Sequence, residues 1–137
     1  MIYIGFLRSK VDKYHDKKSN PSIEWPDHII VLNKNNFNEF IMKFPLSIVD
    51  FWASWCAPCK AMVPRFRRLL KIYKGKVAFG KLDVQKNKDI SREYNISGIP
   101  HFVFFRYGKK ITSITGLKSV GEMKDIIDFH YKKYNRL

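Results

Sequence analysis

Ser47-Ile48-Val49-Asp50-Phe51-Trp52-Ala53-Ser54-Trp55-Cys56-Ala57-Pro58-Cys59-Lys60 holds both cysteines of the 137-residue chain, with two residues between them. An apolar, β-branched run leads into the pair, and a helix-favouring run with basic residues leads out. That order predicts a buried strand, a tight turn carrying Cys56, and a helix that starts beneath it. Cys-x-x-Cys at such a junction suits redox chemistry for a physical reason. The first turn of a helix carries unpaired N–H groups and a partial positive charge, which favour a thiolate over a thiol. Two sulfurs three positions apart on that turn are close enough to close a disulfide.

Two plainer readings compete. Cys-x-x-Cys is also half of a structural zinc site, which needs two more ligands. The chain has no further cysteine, and His15, His28, His101 and His130 show no His-x₃₋₅-His spacing. The other reading is a pair of inert buried thiols. The acid Asp50 in the preceding strand, Pro58 between the cysteines and Trp55 beside them argue against it.

The length suits one domain with a substantial core. Apolar residues make up 45% and aromatics 15%, which excludes global disorder. No run approaches the ~18 consecutive apolar residues of a membrane span. The apolar start, Met1 to Leu7, is short, lacks a preceding basic residue and has no evident small-residue cleavage site, so no signal peptide is expected. Two cysteines in one local motif give no structural disulfide framework, which fits a reducing, cytoplasmic interior.

Lys and Arg number 26 against 12 Asp and Glu, a net charge of +14. The segment 1–26 has five basic and three acidic residues and contributes only +2, so +12 belongs to the rest. Such a surface could attract nucleic acid or an acidic partner. No nucleic-acid motif accompanies it, and a solvated, lysine-rich surface explains it as well.

Residues 1–26 read as an N-terminal extension, and 27–137 as the domain proper. Arg8 to Asn20 is polar without clear periodicity, and Asn20-Pro21 and Trp25-Pro26 punctuate its end. Ile2-Tyr3-Ile4 either pairs as an edge strand or is mobile. Ordered elements then alternate. His28 to Leu32 is a short strand, and Asn33 or Asn35 can cap a helix carrying Phe37, Phe40 and Ile41. Phe44-Pro45 ends that helix, and Leu46 to Ala53 is the apolar central strand. Ala57 to about Tyr73 is the motif helix, kinked at Pro64 and stopped near Gly75. Lys76 to Val84 is a buried strand and Lys88 to Tyr94 a short helix. His101 to Arg106 and Lys110 to Thr115 form a hairpin around Tyr107-Gly108, a weaker turn signal than Asn-Gly. Val120 to Tyr134 is a final amphipathic helix. The β-α-β-α-β-α-β-β-α order predicts an α/β fold, a mixed sheet with helices on both faces.

With these elements placed, the chain resembles the thioredoxin family. The residues that carry the likeness are Asp50 to Lys60 with Pro64 beyond, Lys81-Leu82-Asp83-Val84, Tyr94 to Pro100, Gly108, and Gly116-Leu117. They cover about residues 28–130. Ala57 stands where the family usually has Gly, His101 where Thr or Ser is common, and residues 1–26 have no counterpart in the minimal domain. The resemblance implies the thioredoxin fold and a thiol–disulfide oxidoreductase that reduces protein disulfides. It implies no cofactor beyond the redox-active Cys56–Cys59 pair. Implied partners are disulfide-containing target proteins and a recharging enzyme like thioredoxin reductase, with the chain acting as a monomer, away from membranes and nucleic acid. The same fold run as a protein-disulfide oxidase or isomerase is the nearest alternative, and a redox-inert basic binding module the more distant one.

Roles follow from the resemblance and from thiol chemistry. Cys56, the exposed sulfur at the helix start, is the expected nucleophile, and the deeper Cys59 resolves the mixed disulfide. Asp50, in the middle of an apolar strand, should have a raised pKa and serve as base for Cys59; its plainer reading is a strand-end acid facing water. Lys81 either accompanies Asp50 or is a solvated stem over apolar surface. Pro100 resembles the family's cis-proline facing the cysteines, whereas the residues alone equally suit a trans proline starting a strand. Trp55, Gly98, Ile99 and Gly116 complete the implied docking surface, with Trp52 as packing support. His101 either lies at the rim, where its charged form would stabilise the Cys56 thiolate and favour acidic targets, or is an ordinary strand residue facing the sheet.

Overall fold

The central strand of the motif is buried on both faces, and the rest of the chain is layered around it. The structure is a computed structural model that describes residues 23–135. The elements are β1 (Ile30–Leu32), α1 (Phe37–Lys43), β2 (Ser47–Trp52), α2 (Ala57–Ile72), β3 (Ala78–Asp83), α3 (Lys88–Glu93), β4 (His101–Arg106), β5 (Lys109–Thr115) and α4 (Val120–Tyr134). The sheet order is β1-β3-β2-β4-β5. β1 and β2 both pair parallel to β3, whereas β4 is antiparallel to β2 and β5 to β4.

Alternation along the strands sorts side chains between two cores. Ile48, Phe79, Phe102 and Phe104 meet Met62, Phe66, Leu69 and Leu70 of α2 and Met123 and Ile127 of α4. Val49, Phe51, Leu82, Val103 and Phe105 meet Phe37, Phe40 and Ile41 of α1 on the other face, with Ile90 of α3 and Tyr94 packed alongside. Edge-to-face aromatic pairs, Phe66–Phe79 at 5.1 Å and Tyr94–Phe105 at 5.4 Å between ring centroids, fill the two layers. The mixed sheet with helices on both faces is therefore as the element order predicts.

Local chemistry differs from expectation in small ways. β1 starts at Ile30 rather than His28. The N-cap position of α1 is Asn36, not Asn33 or Asn35. The three asparagines bind one another instead: Asn33 N–H donates to Asn36 Oδ1 and Asn35 N–H to Asn33 Oδ1, both at 2.8 Å. They build a turn rather than a cap. α2 runs as one helix through Pro64, and Gly75 follows it with φ +80°. Tyr107 and Gly108 both have positive φ, as a two-residue hairpin turn requires, so the weak Tyr-Gly signal does form the hairpin. The expected extension 1–26 and the strand Ile2-Tyr3-Ile4 lie mostly or wholly outside the described residues.

Gly80 on β3 marks the tightest packing of the second core. A Cβ there would sit 2.6 Å from Leu32 Cδ1 and 3.1 Å from two Phe40 ring atoms. Gly80→Ala should therefore destabilise the fold by about 1–3 kcal/mol through overpacking. Denaturant unfolding measures this, and an unchanged midpoint would show that Leu32 and Phe40 yield freely.

Candidate active site

β2 ends at Trp52, and Ala53 to Trp55 turn the chain into α2. Cys56 is the N-cap residue of that helix, with extended backbone at φ −90° and ψ 108°. This places its sulfur over the first-turn amides, and Sγ accepts the N–H of Cys59 at 3.2 Å. A sulfur in that position receives the partial positive charge of the helix end. Pro58 in the same turn has no N–H to leave unpaired. Cys56 and Cys59 are joined in a disulfide, with Cα atoms 5.2 Å apart.

Both sulfurs are enclosed, and this corrects the expectation of an exposed Cys56. Cys56 is 4% and Cys59 2% exposed, because Trp52, Ala53, Val84 and Ile99 pack around them. The two differ in polar surroundings more than in exposure. Cys56 Sγ takes the amide donor and stands 3.8 Å from the Ile99 carbonyl oxygen. Trp55 beside it is 65% exposed.

The Ile99–Pro100 bond is cis, which the residues alone did not decide. Pro100 is buried, and its carbonyl accepts the Gly116 N–H at 2.7 Å. Gly116 has φ +99°, a conformation that favours glycine. The fold thus brings Gly98, Ile99, Pro100 and Gly116 together beside Cys56. Leu117, next to Gly116, is also exposed. Val84 and Thr115 were missed. The first touches the cysteine cluster and the second backs Gly98, contacts that only the folded chain makes.

Asp50 lies on the face of β2 that meets α2, 6% exposed, and its Oδ1 has no hydrogen-bond partner among the described residues. Burial pushes its carboxyl up to about 7, while the nearby Lys81 ammonium pulls the other way. The reading of a strand-end acid facing water is excluded. Lys81 is the cross-strand neighbour of Asp50 on β3, and its Nζ also lies 5.7 Å from the Trp52 ring centroid. A cleft of about 390 Å³ opens onto both residues, walled by Ile29, Val63, Phe66 and Leu70 and rimmed by Arg67 and Lys71. Val63, in the wall of this cleft, is one helical turn beyond Cys59 on the same helix.

His101 does not face the sulfurs. Its Nδ1 is 2.6 Å from Thr115 Oγ1, its partner across β4 and β5. Burial, with Lys110 adding to it, lowers the imidazole from its ordinary range and favours its neutral form. Of the two readings of His101, the contact with Thr115 supports the ordinary strand residue. Among the described residues, no group of three or more potential ligands surrounds the cysteines or any other point. No described helix is long and apolar enough to cross a membrane.

A family model described as Thioredoxin matches residues 28–129. This chain belongs to the thioredoxin family. The M-type chloroplast thioredoxin of Spinacia oleracea is 37% identical over 98 residues, which cover 71% of this chain and 54% of that one. The thioredoxin of Staphylococcus haemolyticus is 31% identical over 102 residues, 74% of this chain and 97% of the other. Among solved structures, a point-mutant thioredoxin from Halobacterium salinarum superposes with a TM-score of 0.73 at 25% identity, covering 85% of this chain and 98% of that one. The Cys56–Cys59 disulfide is accordingly the active-site disulfide of a thiol–disulfide oxidoreductase of thioredoxin type.

The state of Asp50 makes a stability prediction with a definite sign. Its pKa is about 7 in the fold against an ordinary 3.8. The charged form therefore costs stability above pH 7, and the cost fades as pH falls toward 4. Asp50→Asn should stabilise the protein by on the order of 4 kcal/mol at pH 9 and by little near pH 4. Denaturant unfolding at the two pH values tests this; a gain independent of pH would contradict a buried, titrating Asp50.

Proposed function

We propose that this thioredoxin-family chain reduces disulfides in other proteins, with Cys56 as nucleophile, Cys59 as resolving thiol and Asp50 as base. One observation carries the assignment: Cys56 Sγ receives the Cys59 amide at the helix N-terminus while a carboxyl with a pKa of about 7 lies beneath the same helix. The Cys56 thiolate attacks one sulfur of the target disulfide. A mixed disulfide forms, and the other target sulfur leaves as a thiolate. Cys59 then gives its proton to the Asp50 carboxylate, and its thiolate attacks Cys56 Sγ. The second target sulfur leaves, two electrons have passed to the target, and Cys56–Cys59 is oxidised. Lys81 tempers the carboxyl so that it is partly ionised at neutral pH, where a base is of use.

Trp55, Gly98, Ile99, Pro100 and Gly116 form the surface against which an extended target segment lies. Their proximity to Cys56 and the exposure of Trp55 support that reading. Recharging needs two electrons from a reductase of the thioredoxin-reductase kind. The cytoplasm is the proposed location, supported by the use of both cysteines in one redox pair. Residues 1–26 are proposed as an extension to a monomeric thioredoxin domain, in keeping with a family match that starts at residue 28.

With insulin as the disulfide probe, Cys56→Ser should abolish turnover, whereas Cys59→Ser should still attack and accumulate a mixed disulfide. Equal loss of the first step in both variants would reverse the assignment of the two sulfurs. Asp50→Asn should slow resolution about tenfold or more near neutral pH and leave the attack step largely unchanged. A pH–rate profile that keeps its inflection near neutrality in Asp50→Asn would remove Asp50 as the base.

A further inference from the structure

The segment Gly98–Pro100 reaches the sulfurs as a loop and needs something to hold it there. Backbone pairing supplies part of this through Gly116 N–H to Pro100 O at 2.7 Å. The hairpin turn supplies less than its topology suggests. The β4–β5 register shifts between Phe104 and Phe105, so the pairing at the active-site end is set off from the Tyr107-Gly108 turn by an irregularity. From that irregularity four pairs run unbroken to His101–Thr115, the last pair of the ladder, where strand pairing stops and further support counts most.

The side chains at that last pair provide it. His101 Nδ1 and Thr115 Oγ1 are 2.6 Å apart. The other branch of Thr115, its Cγ2 methyl, stands 3.0 Å from where a Cβ on Gly98 would be. Thr115 thus holds His101 with its hydroxyl and backs the docking loop with its methyl, so its rotamer is constrained from two sides. His101 immediately follows Pro100, and Thr115 immediately precedes Gly116. Side-chain and main-chain bonds therefore join the same two dipeptides. Either tautomer of neutral imidazole preserves the contact, because a hydroxyl both donates and accepts.

We propose that the His101–Thr115 hydrogen bond is a brace that positions the Gly98–Pro100 loop for protein substrates without acting on the sulfurs. The inference rests on the reading of this surface as the substrate-docking face. His101 and Thr115 are positioning residues in it: they act through the loop, on affinity for an extended polypeptide. A small disulfide, which needs only the sulfurs, does not depend on the brace.

The test uses the full chain with His101→Ala, Thr115→Val, both together, and His101→Asn, whose amide reaches the place of Nδ1. Two probes are compared, insulin and the small aromatic disulfide 5,5′-dithiobis(2-nitrobenzoate). Amide exchange at Gly116 is followed in parallel. Each single variant should raise KM for insulin about fivefold, as loss of one hydrogen bond allows, and leave kcat nearly unchanged. The rate with the small disulfide should stay within about twofold of the parent, since the sulfurs keep their geometry. The double variant should be no worse than either single one, because both remove the same bond. His101→Asn should restore KM, and Gly116 exchange should rise in the Ala and Val variants alone. Multiplying losses, an equal fall with the small disulfide, or unchanged Gly116 exchange would each overturn the brace. A parent protein that reacts with the small disulfide but leaves insulin intact would instead overturn the protein-reductase reading, and Gly116 exchange would then judge the brace by itself.

Discussion

A strand buried on both faces that runs straight into a helix N-terminus is the constraint on which the rest of the structure depends. β2 has neighbours on both edges and helices over both faces, so its side chains from Ser47 to Phe51 are all buried. For Ile48, Val49 and Phe51 burial is a gain, and for Asp50 it is a cost. Burial without a hydrogen-bond partner on Oδ1 makes the ionised carboxylate expensive. The fold keeps the cost tolerable through a neighbouring Lys81 and a cleft that admits solvent, rather than through an ion pair within bonding distance. That compromise leaves a carboxyl that titrates near neutrality in a cleft beneath the helix that carries the cysteines.

The antiparallel placement of β4 builds the other half of the site. Because β4 runs opposite to β2, its first residue lies beside the end of β2, with His101 in register with Phe51. Ile99, 43 positions beyond Cys56, thereby comes to rest against it. The next reversal returns β5 to the same end and delivers Thr115 and Gly116. Three chain segments distant in sequence thus converge where helix α2 begins. Glycine is required at Gly116 for its positive φ, while at Gly98 any side chain would press on the Thr115 methyl.

The surplus of positive charge takes little part in this architecture. Among the described residues, the His28–Asp27 hydrogen bond and the Arg92–Asp89 ion pair are both exposed, and the latter spans 3.9 Å. Most lysines and arginines are solvated, which favours solubility through mutual repulsion. Lys81, Arg67 and Lys71 border the Asp50 cleft, and of these the Lys81 ammonium favours the ionised carboxylate.

Much of the molecule was legible from the chain alone, because the signals involved are local. Apolar alternation marked the strands, helical spacing of Phe37, Phe40 and Ile41 or of Met62, Phe66 and Leu69 marked the helices, and Cys-x-x-Cys at a strand–helix junction marked the chemistry. A capping box at Ser119 and Glu122, also a local signal, stands at the start of α4. What resisted reading depends on contacts between distant segments. The sequence places Cys56 at a helix start, but only the return of Ile99 and Val84 encloses it. It places His101 after a proline, but strand register turns that imidazole toward Thr115 and away from the sulfurs. The isomer of Pro100, the partners of Asp50 and the backing of Gly98 are likewise tertiary facts. The sequence by itself determined which elements form and which atoms are reactive, since propensity, periodicity and thiol chemistry act over a few residues. Only the tertiary structure decided what each reactive atom faces, since burial and hydrogen bonding there come from residues tens of positions away.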